Sequence, residues 1–126
     1  MANIKNIILI DDDPLVHGTF ELFVMNAGCK LTSIMDVQKA SEYADNPNMF
    51  EKPDLLFIDL MLGSILGTDL IKKMREHAYF DKIPIILYTG YDCPSKDVDS
   101  LKIAGVLKKP SSKEDVLRCI EGAYKH

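Results

Sequence analysis

Apolar runs of strand length, separated by stretches of helical period, constrain this chain more than any other feature. Ile7-Ile8-Leu9-Ile10, Leu55-Leu56-Phe57-Ile58 and Ile85-Ile86-Leu87-Tyr88 contain no charged residue and do not alternate. A strand that is apolar on both sides has to be covered on both faces, as in a parallel sheet between two layers of helices. Two weaker runs, Cys29 to Ile34 and Val106-Leu107, read as further strands. The intervening segments read as helices. Asp13-Pro14 supplies a cap and a proline for the first turn, Val16, Phe20, Phe23, Val24 and Ala27 follow at helical spacing, and Gly28 stops the run. Asp36 caps a second helix from about Val37 to Ala44. Leu70, Ile71 and Met74 mark a third after the loop Gly63 to Gly67, and a polar helix is expected from about Pro94 to Ile103. Ser111 with Glu114 forms a capping box for the last, whose face is Val116, Leu117, Ile120, Ala123 and Tyr124. Five β–α units in succession predict a doubly wound α/β domain with a parallel sheet, and nothing between residues 1 and 126 reads as a linker or repeat.

Composition narrows the function by exclusion. The net charge is −4 with no basic stripe, so direct nucleic-acid binding is not expected. No apolar run approaches the ~18 residues of a membrane span. Cys29, Cys93 and Cys119 are far apart and form no CxxC pair, which argues against a disulfide framework or a zinc site. The first residues lack the length and cleavage site of a signal peptide, and a cytoplasmic location is expected. His17, His77 and His126 follow no ligand spacing and read as solvated side chains.

In an open parallel sheet, ligands bind outside the carboxyl ends of the strands. Asp11, Asp12 and Asp13 follow the first strand, Asp59 the third, Thr89 and Gly90 the fourth, and Lys109-Pro110 the fifth. Each alone has a plain explanation: an Asp run before a helix caps it, and a lone Lys is a surface charge. Together they put acidic groups, a hydroxyl and an amine on one edge. Clustered carboxylates repel unless a cation joins them, and hard oxygen donors of this kind suit Mg²⁺, which favours phosphate as a further ligand. Asp59 is then a candidate nucleophile, Lys109 and Thr89 can contact phosphoryl oxygens, and Gly90 leaves room for them.

The motifs Ile-Leu-Ile-Asp11-Asp12-Asp13-Pro14, Pro53-Asp54-Leu-Leu-Phe-Ile-Asp59-Leu-Met61, Tyr88-Thr89-Gly90 and Leu107-Lys108-Lys109-Pro110 resemble, in order, those of response-regulator receiver domains. The resemblance covers the whole chain. It implies a chemotaxis-regulator-like (βα)5 flavodoxin-like fold with sheet order 2-1-3-4-5, and a bacterial two-component, phosphorelay role. It further implies that Asp59 is the phosphoacceptor, that Thr89 and Lys109 hold the phosphoryl oxygens, and that Mg²⁺ is bound by Asp12, Asp59 and the Met61 backbone carbonyl, with Asp11 acting through water. Asp13 caps the first helix, and the bond before Pro110 is a candidate for cis. The implied partners are a sensor histidine kinase or a histidine phosphotransfer protein, with an output partner or homodimer reached through a switching surface. Such a protein is a signalling phosphoacceptor and not an enzyme with external turnover.

The chain departs from the family pattern where output is read. Gly63 replaces a proline, Leu66 stands where aspartate is common, Val106 replaces the usual aromatic and Ser111 a frequent Phe, while the segment between Thr89 and Lys109 is about two residues short. Met61 and Tyr91 flank the acidic positions and are expected to slow hydrolysis of an acyl phosphate. Two rivals remain. A phosphorylation-independent pseudo-receiver would keep the fold and not the chemistry. A haloacid-dehalogenase-like phosphatase would use the Asp11-Asp12-Asp13 run, but Leu15 stands where that group has Thr or Val, and no acidic pair follows Lys109.

Overall fold

The computed structural model describes residues 6–123. Five parallel strands, β1 (Asn6–Ile10), β2 (Lys30–Ile34), β3 (Leu55–Ile58), β6 (Ile85–Thr89) and β7 (Gly105–Lys108), form one sheet in the order β2-β1-β3-β6-β7. Counted without the two short strands between β3 and β6, this is the expected 2-1-3-4-5. Among the described residues the α-helices are α1 (Pro14–Met25), α2 (Val37–Asp45), α3 (Gly67–Arg75), α4 (Ser95–Ser100) and α5 (Lys113–Gly122).

The strand runs read as apolar do face helices on both sides. Ile8, Ile10, Leu56, Ile58, Ile85 and Leu87 pack with Tyr43, Leu70, Met74 and Phe80. The alternate residues Ile7, Leu9, Leu55, Phe57, Ile86 and Tyr88 pack with Phe20, Val24, Val116 and Ile120. Burying each such side chain contributes about 1.5–3 kcal/mol, so the two layers hold the sheet edge that carries the polar residues. The Phe20 and Phe57 rings meet edge-on at 4.8 Å, which joins α1 to β3 just below the acidic residues.

The helix ends follow their caps. Asp13 accepts from the Leu15 amide and Asp36 from the Gln38 amide, as expected. The last helix is capped one residue later than expected. Ser112 and Asp115, not Ser111 and Glu114, form the capping box. Ser111 instead donates to the Lys108 carbonyl. Val116, Ile120 and Ala123 are buried as expected, whereas Tyr124 and His126 lie outside the described residues.

Two further local features differ from the sequence reading. The stretch taken as a loop after β3 is a hairpin of β4 (Met61–Leu62) and β5 (Ile65–Leu66), turned at Gly63 with φ +71°. Left-handed backbone there suits glycine, and the hairpin leaves Met61 and Leu66 exposed. The polar helix α4 is also shorter than Pro94 to Ile103 and buries none of its residues. Lys102 takes φ +54°, the Ile103 amide donates back to the Val98 carbonyl at 2.9 Å, and the Lys102 amide to Asp99 at 3.2 Å. This is a Schellman ending with lysine in the position that normally favours glycine. Arg75, at the end of α3, holds it in place. Its guanidinium donates to the carbonyls of Leu101, Lys102 and Ile83 at 3.0 Å each and of Phe80 at 2.5 Å.

Candidate functional site: an acidic cluster at the sheet edge

Asp11 follows β1, and its amide donates to the Ile34 carbonyl at 3.1 Å. Asp59 follows β3, with its amide on the Ile10 carbonyl at 3.0 Å. The two neighbouring strands therefore deliver both carboxylates to the same end of the sheet. Carboxylate oxygens of Asp11, Asp12 and Asp59 all lie within 4.8 Å of one another. Asp11 and Asp59 are buried while Asp12 is exposed. Asp13 is turned to its capping role, and its amide donates to Asp11 Oδ1 at 2.9 Å.

Lys109 enters from the far edge of the cluster. Its amide donates to the Thr89 carbonyl at 3.0 Å, extending the β6–β7 ladder by one residue. Its ammonium reaches Asp11 Oδ2 at 2.5 Å and Asp59 Oδ2 at 3.0 Å, and lies 5.3 Å from the centre of the Tyr88 ring. Burial favours the neutral amine, but the hydrogen bonds and charges of Asp11 and Asp59 outweigh it and raise Lys109 above its usual pKa. Burial also lifts the Asp11 carboxyl above 3.8, opposed by Lys109 and the Asp13 amide. The Lys109–Pro110 bond is cis.

Thr89 is the last residue of β6 and not the residue after it; its side chain is fully buried. Its Oγ1 accepts from the Tyr91 amide at 3.2 Å, so its own proton is free to be donated elsewhere. Met61 opens the hairpin, and its amide donates to Asp59 Oδ1 at 3.3 Å. The three carboxylates are hard, anionic oxygen donors of the kind that a small divalent cation takes. The residues present therefore fit Mg²⁺.

A Cβ on Gly90 would meet no protein atom within 4 Å. The constraint falls on Gly67, the first residue of α3, where a Cβ would lie 2.1 Å from the Asp59 carbonyl oxygen. Two residues beside the cluster were missed by sequence reasoning in this way. Gly67 is one; its only signal was its place immediately before the apolar face of α3. His17 is the other. It is buried, not solvated, with Nε2 2.7 Å from the Asp11 carbonyl oxygen. Its signal was its spacing to Phe20 and Val24, which puts all three on the buried stripe of α1.

A family model described as the response regulator receiver domain matches residues 7–121. The chain is similar to the sensory transduction protein LytT of Enterococcus faecalis, 27% identical over 121 residues, covering 95% of this chain and 48% of that one. Among solved structures it is similar to the chemotaxis response regulator CheY4 of Vibrio cholerae, with TM-score 0.82 at 18% identity over 96% of this chain and 99% of that one. It is also similar in fold to a response regulator protein from Burkholderia pseudomallei solved with a phosphorylated aspartic acid, a calcium ion and citrate. There the TM-score is 0.77 at 23% identity, over 96% of this chain and 69% of that one. The chain spans about half the length, or less, of the curated relatives it matches. None of its described helices is long and apolar enough to cross a membrane.

Proposed function

This chain belongs to the response regulator receiver domain family of two-component systems, and from that premise we propose that it accepts a phosphoryl group on Asp59, with Mg²⁺, and uses it to switch a partner-binding surface. The observation that carries the reading is the bridge of Lys109 between Asp11 and Asp59 at the carboxyl edge of the sheet, with Asp12 in the same cluster. The donor is a phosphohistidine on a sensor kinase or phosphotransfer protein, and the setting is cytoplasmic. The whole of residues 1–126 acts as one receiver unit.

Asp12, Asp59 and the Met61 carbonyl would hold the cation, with Asp11 assisting through water. When bound, Mg²⁺ supplies positive charge that offsets the carboxylates and the incoming phosphoryl oxygens. An Asp59 carboxylate oxygen attacks phosphorus as the P–N bond to the donor imidazole breaks, the bonding pair staying on the nitrogen. Lys109, which already touches Asp59, turns its ammonium to a phosphoryl oxygen. The Thr89 hydroxyl donates to another while still accepting from the Tyr91 amide. Drawing Thr89 toward the phosphoryl group pulls on the backbone at Tyr91 and on the start of α4, a helix with no fully buried residue. Because Val106 has no aromatic ring to rotate, the switching surface around α4, β7 and α5 responds through this backbone path. The phosphorylated aspartic acid in the Burkholderia response regulator supports the same chemistry on this fold.

Intact-mass spectrometry after incubation with acetyl phosphate tests the reading. One added phosphoryl mass that requires Mg²⁺ and disappears in Asp59→Asn is expected. No adduct and no binding of a beryllium fluoride mimic, with the fold intact, would instead favour a phosphorylation-independent interaction module.

A further inference from the structure

His17 is buried on the core-facing stripe of α1, where an apolar residue would ordinarily stand. Its Nε2 lies 2.7 Å from the Asp11 carbonyl oxygen. A carbonyl oxygen only accepts, so Nε2 carries a proton and donates it there. Its Nδ1 is buried without a hydrogen-bond partner among the described residues. A leucine there would leave no unmatched nitrogen. What the imidazole offers over leucine is the bond to Asp11.

With that bond, every polar atom of Asp11 is engaged. The amide donates to Ile34, Oδ1 accepts from the Asp13 amide, Oδ2 from Lys109, and the carbonyl from His17. Asp12 is the opposite case. It is exposed, and its carboxylate makes no hydrogen bond among the described residues, so only its backbone places it. The Asp11 carbonyl and the Asp12 amide lie in one rigid peptide plane. Fixing the carbonyl therefore fixes the direction in which Asp12 leaves the chain. The anchor is itself firm, because the His17 amide donates to the Asp13 carbonyl at the start of α1.

We propose that His17 is a positioning residue for the divalent-cation site: by holding the Asp11–Asp12 peptide it sets the reach of the Asp12 carboxylate. The inference rests on the reading of Asp11, Asp12 and Asp59 as that site.

The test is a titration of ¹⁵N-labelled protein with MgCl₂, followed by the amide shifts around Asp12 and Asp59, for the wild type, His17→Leu and His17→Gln. Folding of each is checked by urea denaturation. His17→Leu should raise the half-saturating Mg²⁺ about 10-fold, as loss of an outer-shell partner does. His17→Gln, whose side-chain amide can donate to the same carbonyl, should return it to within about twofold of the wild type. Acetyl phosphate labelling should shift in the same way in its Mg²⁺ requirement, with its rate at saturating Mg²⁺ preserved. Equal Mg²⁺ affinity in the wild type and His17→Leu would overturn this inference alone, and so would equal weakening by both variants, which would mean packing and not the donor. A wild type that does not respond to Mg²⁺ would overturn the functional reading together with it. Should His17→Leu fail to fold, the imidazole ¹H–¹⁵N spectrum of the wild type decides. A proton on Nε2 sustains the inference, and a proton on Nδ1 with Nε2 bare overturns it.

Discussion

Replacing Gly67 by alanine places a methyl group where the chain passes closest to the acidic cluster. The added Cβ would lie 2.1 Å from the Asp59 carbonyl oxygen, 3.0 Å from its carbonyl carbon and 3.1 Å from the Leu60 Cα. All three are backbone atoms, so no rotamer can move out of the way. Real Cβ contacts stay beyond 3.0 Å, so about 0.9 Å must be found by moving the start of α3 away from Asp59. The Gly67 amide is also bonded to the Leu60 carbonyl at 2.6 Å, so the movement strains the segment that carries Asp59. Overpacking of this kind costs about 1–3 kcal/mol, which for a chain of this length is a fall of about 4–12 °C in Tm. A displacement near 1 Å of a nucleophile costs on the order of 100-fold in rate. Thermal melts by circular dichroism and time-resolved intact-mass labelling with acetyl phosphate measure both. Gly18→Ala is the control: its Cβ would meet nothing within 4 Å inside α1, and the change should stabilise by about 0.5–1 kcal/mol. A Gly67→Ala protein that melts with the wild type and labels within about threefold of its rate would refute the reasoning.

Arg75→Lys removes a planar fork that holds four carbonyls across the α3–β6 and α4–β7 connections. A loss of about 2–3 kcal/mol in urea denaturation is expected, with faster amide exchange at Leu101 to Ile103; a loss under about 0.5 kcal/mol would contradict it. Burial raises the Cys119 thiol from 9.0 to about 11. Between those values the unfolded chain releases a proton that the folded chain keeps, so stability falls as pH rises from 9 to 11. In Cys119→Ala that fall should be shallower, and an unchanged pH profile of the urea midpoint would count against it. Met61 and Tyr91 are both exposed beside the cluster. A Met61→Ala, Tyr91→Ala double variant should shorten the Asp59-phosphate half-life by at least about threefold through freer access of water, and an unchanged half-life would sink that role.

What could be read in the sequence is what depends on near neighbours. The three apolar strands, the Asp13 and Asp36 caps and the Gly28 stop each rest on a few adjacent residues, and all appear as expected. The gathering of Asp11, Asp12, Asp59 and Lys109 was legible because a parallel sheet brings its strand ends to one edge. The misses come from distant or competing interactions. Ser111 and Ser112 both have an acidic residue three positions on, and the Ser111 hydroxyl is taken by the Lys108 carbonyl. The length of α4 depends on Arg75, which bonds carbonyls 26 and 27 residues away in the chain. The hairpin needs Met61 and Leu62 to find Leu66 and Ile65, a pairing too short to leave a pattern. Histidine is ambiguous by chemistry, so His17 was given to solvent although its spacing placed it with Phe20 and Val24.

The central claim is that Asp59, among the clustered carboxylates, carries the phosphoryl group. Reductive trapping with borohydride after labelling with acetyl phosphate and Mg²⁺ converts an acyl phosphate to the alcohol, and tandem mass spectrometry of the peptides then locates it. Reduction at residue 59 alone, dependent on Mg²⁺, is predicted. Reduction at Asp11, Asp12 or Asp13, or none at residue 59 in folded protein that does gain a phosphoryl mass, would contradict the account.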